Sequence, residues 1–258
     1  NCMIMCWKFT YAREGPYAGA WVDGPEYETF CTFGGLLDIP NLDVVIYANQ
    51  LADNYGIDTI STGVTISFAI EAFERGILTT KDTDGLELKW GDEKVLLTLI
   101  RKIAFREGIG DLLAEGVKRA SEKLGRGSEY FAIHVKGLEL PAYDPRPVKA
   151  HGLGMVTSNI GGSHAIGYGT QEVFGLPTKV DRYTIEGKGK LTVYNQNRLA
   201  WGECCIWCTF PTRSEWHKPD ILTKIINAAT GIDFGGFEEA LKIGERIWNV
   251  EKAFNVRE

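Results

Sequence analysis

Residues 95–124, VLLTLIRKIAFREGIGDLLAEGVKRASEKL, carry the clearest structural signal in the chain. The apolar residues from Val95 to Ile103 recur at the i, i+3, i+4 spacing that places side chains on one face of an α-helix. The apolar residues from Leu113 to Leu124 repeat this pattern, and Gly108 and Gly125 stand where helices commonly end in a left-handed residue. The short turn between the two segments predicts that the two helices pack as a pair. This stretch therefore favours a mainly α fold.

The same spacing predicts helices before and after this pair, and glycine ends several of them. In chain order these helices run from Leu42 to Gly56, from Ser61 to Gly76, from Val193 to Cys208, from Ile221 to Gly231 and from Leu241 to Trp248. In the third of them the cysteines at the end fall on one helix face, so Cys208 is expected to project from the helix.

Two other kinds of segment interrupt the helices. Residues 7–30 mix aromatic residues with Gly and Pro, which indicates loop or short β-structure. Residues 133–137 predict a short strand, and the prolines in Leu140–Pro147 exclude a helix interior because each removes an amide donor. We therefore place a domain boundary near residue 133, which gives two helical domains, residues 1–133 and 134–258.

The composition is that of a folded globular protein with an acidic surface. The 258 residues are 44% hydrophobic, with a net charge of -6 and a pI near 5.4. An acidic chain without a long run of Lys or Arg is not expected to bind nucleic acid or an anionic membrane surface. No apolar run reaches the roughly 18 residues of a membrane span and no targeting peptide is recognised, so the expected location is cytoplasmic.

Five of the six cysteines lie in two short stretches, residues 2–6 and 204–208. Thiolates are soft ligands that suit iron–sulfur clusters or zinc. Spacing alone leaves three interpretations open: a cluster bound through Cys2, Cys6 and Cys208, a zinc site that uses Cys205 and Cys208 as a C-x-x-C hook, or buried cysteines without metal. Because the chain opens inside a cysteine motif, we expect a further ligand just upstream and interpret the sequence as a piece of a larger protein.

Several further strings combine acidic, glycine and histidine residues in a distinctive order. They are Asp53–Asp58 (DNYGID), Gly137–Arg146 (GLELPAYDPR), Ser158–His164 (SNIGGSH) and the C-terminal segment Gly244–Glu258. Taken alone, the first is explained as a helix stop with an Asp, and the single histidine in a glycine-rich loop as incidental. Together with the cysteine stretches, the chain resembles the tungsten-containing aldehyde ferredoxin oxidoreductases over almost its whole length.

This resemblance implies a fold and a cluster. The fold is two helical domains of the domain 2 and domain 3 type of that family, with short β segments. The cluster is [4Fe-4S], with Cys2 and Cys6 in the first domain, Cys208 in the second as the distant ligand, and one ligand upstream of the chain.

The resemblance also implies binding of pterin cofactors. Asp53–Asp58 is similar to the first of two D-x-x-G-L-(C/D) motifs of the family, which implies pterin contacts from Asp53, Gly56 and Asp58, since acidic groups and amides accept and donate hydrogen bonds to a pterin. The second motif would occupy residues 203–208, where Glu203 replaces Asp and Ile206-Trp207 replaces Gly-Leu. This departure keeps the cysteine but alters the expected pterin contact of Glu203.

The activity implied by the resemblance is oxidation of an aldehyde to a carboxylate at a tungsten or molybdenum bis-pterin centre of the molybdopterin type, with electrons passing through the cluster to ferredoxin. In this interpretation His164 donates to a metal-bound or substrate oxygen, and Glu28 or its neighbour Glu26 is the base that activates water. Tyr143 would position the substrate carbonyl. From the residues alone, the two glutamates are equally explained as a solvated edge and Tyr143 as a packed aromatic residue.

The partners implied in this way are the aldehyde, ferredoxin, an amino-terminal domain of the same protein that has no counterpart in the chain, and further copies of the subunit. The chain alone is expected to be inactive. Two other classes stay open: a cluster-binding electron-transfer or structural subunit without the tungsten site, which the altered second motif would fit, and a zinc-stabilised helical module without a redox role.

Overall fold

A computed structural model describes residues 4–214 and 219–257 of the chain. Helices dominate, and the strands in this part of the chain form two short antiparallel hairpins. The helices are α1 (Tyr27–Thr29), α2 (Leu42–Tyr55), α3 (Thr59–Glu74), α4 (Glu93–Phe105), α5 (Ile109–Leu113), α6 (Gly116–Leu124), α7 (Lys149–Thr157), α8 (Thr170–Val173), α9 (Lys188–Cys204), α10 (Thr209–Ser214), α11 (Pro219–Thr230) and α12 (Phe237–Arg257). The strands are β1 (Phe9–Tyr11), β2 (Trp21–Asp23), β3 (His134–Val135) and β4 (Leu138–Glu139). The predicted mainly α fold with short β segments is confirmed.

The chain divides into two compact units, Asn1–Ala142 and Tyr143–Glu258, called unit 1 and unit 2 below. The division falls later than the boundary that we placed near residue 133. The cause is the hairpin of β3 and β4, because Glu139 Oε1 accepts a hydrogen bond of 2.8 Å from the backbone N–H of Val117 in α6. This buried contact keeps the hairpin with unit 1.

The main hydrophobic core of unit 1 lies among α2, α3 and α4. Helix α2 begins after Asn41, whose side-chain oxygen accepts from the backbone N–H of Asp43, and it ends at the left-handed Gly56, as the sequence predicts. Ile66 and Leu99 are fully buried in this core. Burying an aliphatic side chain of this size stabilises a fold by about 1.5–3 kcal/mol.

Two predicted helix ends lie elsewhere in the structure. Asp58, and not Ser61, is the N-cap of α3, because its Oδ2 accepts from the Ser61 N–H at 2.6 Å. Helix α4 ends at Arg106, which adopts the left-handed conformation with φ 54°, whereas Gly108 is the N-cap of α5. The Arg106 guanidinium donates to Asp111 of α5 at 2.8 Å.

The segment predicted as one helix from Leu113 to Leu124 contains the last residue of α5 and the whole of α6. Gly116 between them has a φ of 78°, which interrupts a regular helix, and a Cβ there would lie 2.7 Å from Glu139 Oε1. Gly110 in α5 lies so close to α4 that a Cβ would stand 2.1 Å from the carbonyl oxygen of Lys102. Residues 109–111, which we predicted as part of the turn, therefore belong to α5, and it is α5 that packs closely on α4.

Unit 2 is organised by α9 and α12, which pack along each other. A Cβ on Gly244 of α12 would lie 1.9 Å from the carbonyl oxygen of Asn197 in α9, so only glycine allows this approach. Helix α9 ends at Cys204, because Ile206 adopts a left-handed conformation with φ 55°. The predicted helix to Cys208 is therefore too long, and Cys208 does not project from α9.

Within the described residues, no single helix is long and apolar enough to cross a membrane. One pair of segments, Tyr27–Leu37 and Leu42–Tyr55, meets the length and composition criteria when taken together, with a bend of 120° between them.

Candidate functional site

Glu28 lies in α1 and is held by a hydrogen bond within unit 1. Its Oε2 accepts from the backbone N–H of Ala142 at 2.8 Å, and its side chain is partly buried. Glu26 is the N-cap residue of α1 and is exposed, and its side chain does not cap the described turn. Of the two predicted bases, only Glu28 thus has its carboxylate fixed by the hydrogen bond from Ala142. Ala142 is the residue immediately before Tyr143 in the sequence.

Four aromatic side chains in unit 2, Tyr143, His151, His164 and Tyr168, form what we call the ring cluster. Tyr143 stacks on His164 with ring centroids 5.5 Å apart and an angle of 20° between the planes. It also meets His151 at 5.1 Å and Tyr168 at 5.7 Å, both edge to face. The Tyr168 hydroxyl donates to the Tyr143 hydroxyl at 3.2 Å. The structure therefore brings two predicted site residues, Tyr143 and His164, into one cluster and adds His151 and Tyr168 to it.

His151 is 1% exposed, and its hydrogen bonding indicates a neutral ring. The backbone N–H of Gly169 donates to its Nδ1 at 3.3 Å, so Nδ1 acts as an acceptor. A neutral imidazole with one accepting nitrogen carries its proton on the other, here Nε2. The ring cluster thus contains one buried neutral imidazole and one half-buried imidazole, that of His164.

The loop that carries His164 is fastened to α12. Asn159 Nδ2 donates to the carboxylate of Glu251, and Asn255 Nδ2 donates to the carbonyl oxygen of Asn159 at 2.8 Å. Gly161 follows with a φ of 110°, which explains the glycine at that position. These contacts order the start of the loop before it reaches His164.

The first predicted pterin motif forms the connection between α2 and α3. Gly56 ends α2 in the left-handed conformation, and Asp58 caps α3, so both residues have a local structural role. The Asp53 carboxylate accepts from Asn49 Nδ2 at 2.9 Å. Partial burial and the nearby charge of Asp23 raise the pKa of Asp53 above its usual value. Asp53 is therefore the acidic side chain of this motif that does not serve as a helix cap.

The second motif, residues 203–208, ends a helix with the same turn as the first. In both, the N–H of the fourth residue donates to the carbonyl of the first residue, at 3.2 Å for Gly56 and Asp53 and at 2.9 Å for Ile206 and Glu203. The next N–H donates to the carbonyl before the motif, at 3.0 Å and 3.2 Å respectively. The fourth residue is left-handed in both, with φ 69° and 55°. The second motif thus keeps the helix-ending turn although isoleucine has replaced glycine.

Glu203 and Cys204 line a cavity of about 470 Å³ in unit 2. Its remaining walls come from the loop that carries His164, from α9 and from α12. The side chains that line it are largely apolar and include Leu199 and Trp248. Glu251 from α12 also faces this space. The predicted residue Glu203 therefore stands at the rim of an apolar cavity with acidic groups.

The predicted cluster cysteines are distributed over both units. Cys2 lies outside the described residues, Cys6 is half-buried in unit 1, and Cys208 is exposed in unit 2. No group of three metal-ligating side chains occurs among residues 4–214 and 219–257. Burial and the neighbouring Cys204 raise the pKa of Cys205, which makes its thiolate less available.

Three residues at or beside the ring cluster were not predicted from the sequence. His151 and Tyr168 complete the ring cluster, and Glu172 accepts hydrogen bonds from the backbone beside His151. The histidine and glycine content around residue 151 was the only signal that could have drawn attention to them. No spacing rule joins residues 151, 168 and 172 to residue 143.

The sequence model of the family described as aldehyde ferredoxin oxidoreductase, domains 2 & 3, matches residues 1–258. The chain is 42% identical over 261 residues to the tungsten-containing aldehyde ferredoxin oxidoreductase of Pyrococcus horikoshii, and 42% identical over 259 residues to that of Thermococcus kodakarensis. Each alignment covers 99% of this chain but only 42% and 41% of the two relatives.

Two further matches are more distant. The chain is 33% identical over 257 residues to a Pyrococcus furiosus protein named aliphatic sulfonate oxidoreductase, WOR-like subunit, covering 98% of this chain and 38% of that protein. Among solved structures, the active site complex BamBC of benzoyl coenzyme A reductase with 1,5-dienoyl-CoA matches with a TM-score of 0.71 and 22% identity, over 90% of this chain and 41% of the other. At that identity the match concerns the fold alone. The chain spans about two fifths of the length of the curated relatives it matches.

Proposed function

Because the chain belongs to the aldehyde ferredoxin oxidoreductase family, we propose that it forms part of a tungsten-dependent oxidoreductase that converts aldehydes to carboxylates. In this proposal a tungsten bis-pterin and a [4Fe-4S] cluster serve the reaction, ferredoxin receives the electrons, and the protein works in the cytoplasm. The observation that carries the proposal is the stacking of His164 on Tyr143, since each belongs to a string that resembles the family. The chain spans 42% of a relative's length, so the activity is proposed for the longer protein.

The ring cluster is suited to hold and polarise a carbonyl group. His164 is half-buried, and its ring lies flat against Tyr143, which limits its rotation. An imidazole donates or accepts a proton near neutral pH, so His164 is proposed to donate a hydrogen bond to the oxygen of the substrate. The Tyr143 hydroxyl is proposed to orient the same carbonyl, and its hydrogen bond with Tyr168 keeps that hydroxyl in place.

A base is needed because the conversion of an aldehyde and water to a carboxylate releases protons as well as electrons. Glu28 is proposed to accept a proton from that water. Its hydrogen bond with the Ala142 N–H supports this choice over Glu26, since an immobilised carboxylate loses less entropy when it acts.

The residues present fit the donor chemistry of both cofactors in part. Cys6 and Cys208 carry accessible thiols that, together with Cys2, suit an iron–sulfur cluster. Asp53 and Glu203 occupy equivalent positions in two equivalent helix-ending turns, which supports pterin binding by both. When bound, the pterin-held metal supplies the oxidation chemistry and the cluster supplies one-electron transfer.

The test uses full-length protein purified without oxygen. We expect tungsten and iron by elemental analysis, visible absorption from the cluster, and reduction of ferredoxin when an aldehyde is added. The variant His164→Ala should lower kcat by about 10²–10⁴-fold, the usual contribution of a general acid, with unchanged metal content. His134→Ala in the β3–β4 hairpin is the matched control and should leave kcat unchanged. Stoichiometric zinc without tungsten and iron would contradict the proposal.

The departure of Glu203 and Ile206 from the family pattern favours a second candidate, a cluster-binding subunit that transfers electrons without a tungsten site. Iron and visible absorption would then be found without tungsten, and no aldehyde would reduce ferredoxin. The retained turn at Ile206 supports the enzyme instead, because the backbone expected of the motif is still in place.

A further inference from the structure

Glu172 and Lys188 form an ion pair that is almost completely shielded from water in unit 2. The Lys188 Nζ lies 2.5 Å from Glu172 Oε1, and the two side chains are 4% and 0% exposed. Glu172 belongs to α8, and Lys188 is the first residue of α9. A second, neutral contact joins the same helices, because Gln171 and Asn195 exchange two hydrogen bonds of 3.2 Å and 3.0 Å.

The other carboxylate oxygen of Glu172 reaches the start of α7. Its Oε2 accepts from the backbone N–H groups of Ala150 at 2.9 Å and His151 at 3.1 Å. These N–H groups belong to the first helical turn, which has no partners inside the helix, and the N-cap residue Val148 offers no side-chain acceptor. One buried carboxylate thus caps α7 at the residue that enters the ring cluster.

The loop before α8 is fastened to the same histidine from the other side. The Gly169 N–H donates to His151 Nδ1. A Cβ on Gly169 would lie 3.3 Å from the backbone nitrogen of His151 and 3.2 Å from Glu172 Oε2. The backbone and the ring of His151 are therefore both set by the segment 169–172. The ring in turn contacts Tyr168 at 4.5 Å and Tyr143 at 5.1 Å.

A purely structural role does not explain why this pair is ionic. Replacing a buried ion pair by apolar residues of similar volume is often neutral or stabilising, because two charges lose their hydration on burial. What the carboxylate provides that an apolar side chain does not is a set of directed acceptors at fixed positions. Those acceptors hold His151, and the ring cluster transmits that position to Tyr143 and to His164, which stacks on it.

We propose that Glu172, with its charge balanced by Lys188, is a positioning residue for the reaction. It fixes His151, and through the Tyr143 ring it sets the orientation in which His164 meets the substrate. The inference rests on the proposed function for its catalytic part, whereas its structural part concerns contacts within unit 2 and can be tested separately.

Three variants of the full-length protein test this. Glu172→Gln keeps the shape but leaves the Lys188 charge without its partner, and Glu172→Gln combined with Lys188→Met removes both charges. Glu186→Gln combined with Lys190→Met removes the same two charges from exposed positions close by in the sequence and is the matched control.

The first measurement is the rate at which diethyl pyrocarbonate acylates each histidine, followed by peptide mass spectrometry. His151 should be protected in the wild type and in the control, and should react at least 10-fold faster in Glu172→Gln. His134 of unit 1 should react at one rate in all proteins. Equal protection of His151 in every variant would overturn the proposal, and so would faster reaction of all histidines together, since that would indicate general unfolding.

The second measurement is steady-state oxidation of an aldehyde by the same proteins with their cofactors. Glu172→Gln should lower kcat by about 10–100-fold with little change in KM, the range expected when a reacting group is misplaced by about an ångström. The double variant should recover part of that loss, because the glutamine oxygen still accepts from α7 and no charge is left unpaired. An unchanged kcat with a reactive His151 would overturn the catalytic part. A wild-type protein without aldehyde oxidation would instead contradict the proposed function, and the acylation rates would still decide the structural part.

Discussion

Replacing Ile206 by glycine is expected to stabilise the protein, although the change deletes a large apolar side chain. Ile206 has a φ of 55°, and this left-handed conformation costs a residue with a Cβ about 1–2 kcal/mol. Glycine avoids that cost but loses more chain entropy on folding, about 0.5–1 kcal/mol. Ile206 is 95% exposed, so its removal sacrifices almost no buried apolar area. The difference predicts that Ile206→Gly raises the free energy of unfolding by about 0.5–1 kcal/mol.

The reverse change at the equivalent turn supplies the matched test. Gly56 has a φ of 69°, and a Cβ there would meet no heavy atom within 4 Å, so Gly56→Ile should lose a similar amount without a steric clash. Ile185→Gly is the control for entropy alone, because Ile185 is 81% exposed and is not left-handed. It should destabilise the protein by about 0.5–1 kcal/mol.

Urea denaturation followed by tryptophan fluorescence measures these differences, and a constant m-value would show that the unfolded states are comparable. The thermal midpoint of Ile206→Gly should rise by about 1–4 °C. A loss of stability in Ile206→Gly equal to that of Ile185→Gly would refute the reasoning, since it would mean that the left-handed turn carries no strain.

Three further predictions concern ionisable groups. The Arg146 guanidinium lowers the pKa of Asp144 from 3.8 to about 2. Arg146→Ala should return this pKa toward its usual value in a carboxyl NMR titration. The stabilisation from this pair is complete above about pH 4 and is lost as the pH falls toward the lowered pKa. Burial and the charge of Asp23 raise the pKa of Asp53, so Asp23→Asn should lower that pKa. Asp53 should stabilise the folded state at pH values below its unfolded pKa, and this stabilisation should be lost as the pH rises through its folded pKa. Burial also raises the pKa of Cys205, so iodoacetamide at mildly alkaline pH should alkylate it more slowly than an unperturbed cysteine thiol, and a rate equal to that of a reference cysteine peptide would contradict this.

The helices with a polar and an apolar face could be predicted closely. Helix α2 begins and ends where the apolar spacing and Gly56 indicate, and α11 ends at Gly231, again in the left-handed conformation. Errors arose where a cap came from an unexpected side chain, as at Asp58, or where the apolar spacing continued past a turn, as at Ile206. Both depend on local hydrogen bonds that spacing does not record.

Helix α7 could not be predicted, because it has no polar face to contrast with an apolar one. It contains Gly152 and Gly154, and a Cβ on these would lie 2.8 Å from the carbonyl oxygen of Pro145 and 3.0 Å from that of Gly167. Buried residues lie on several sides of this helix. Glu172 caps its start from 21 positions further along the chain. The helix is therefore stabilised by its surroundings in unit 2, and a residue spacing cannot predict it.

The candidate site also contains residues that could be predicted from the sequence and contacts that could not. The strings and cysteine stretches that resemble the family could be recognised in the sequence by itself, and they pointed to Tyr143, His164, Asp53 and the cysteines, whose proposed roles stay predictions. These strings are continuous in the chain, so their residue types and order are readable without coordinates.

Only the tertiary structure decided that Tyr143 stacks on His164, that His151 and Tyr168 complete the ring cluster, and that Glu172 of a buried ion pair accepts from the backbone of His151. The reason is physical: helical spacing relates residues three or four apart, whereas these contacts join residues 8 to 25 positions apart, whose proximity depends on how whole helices pack.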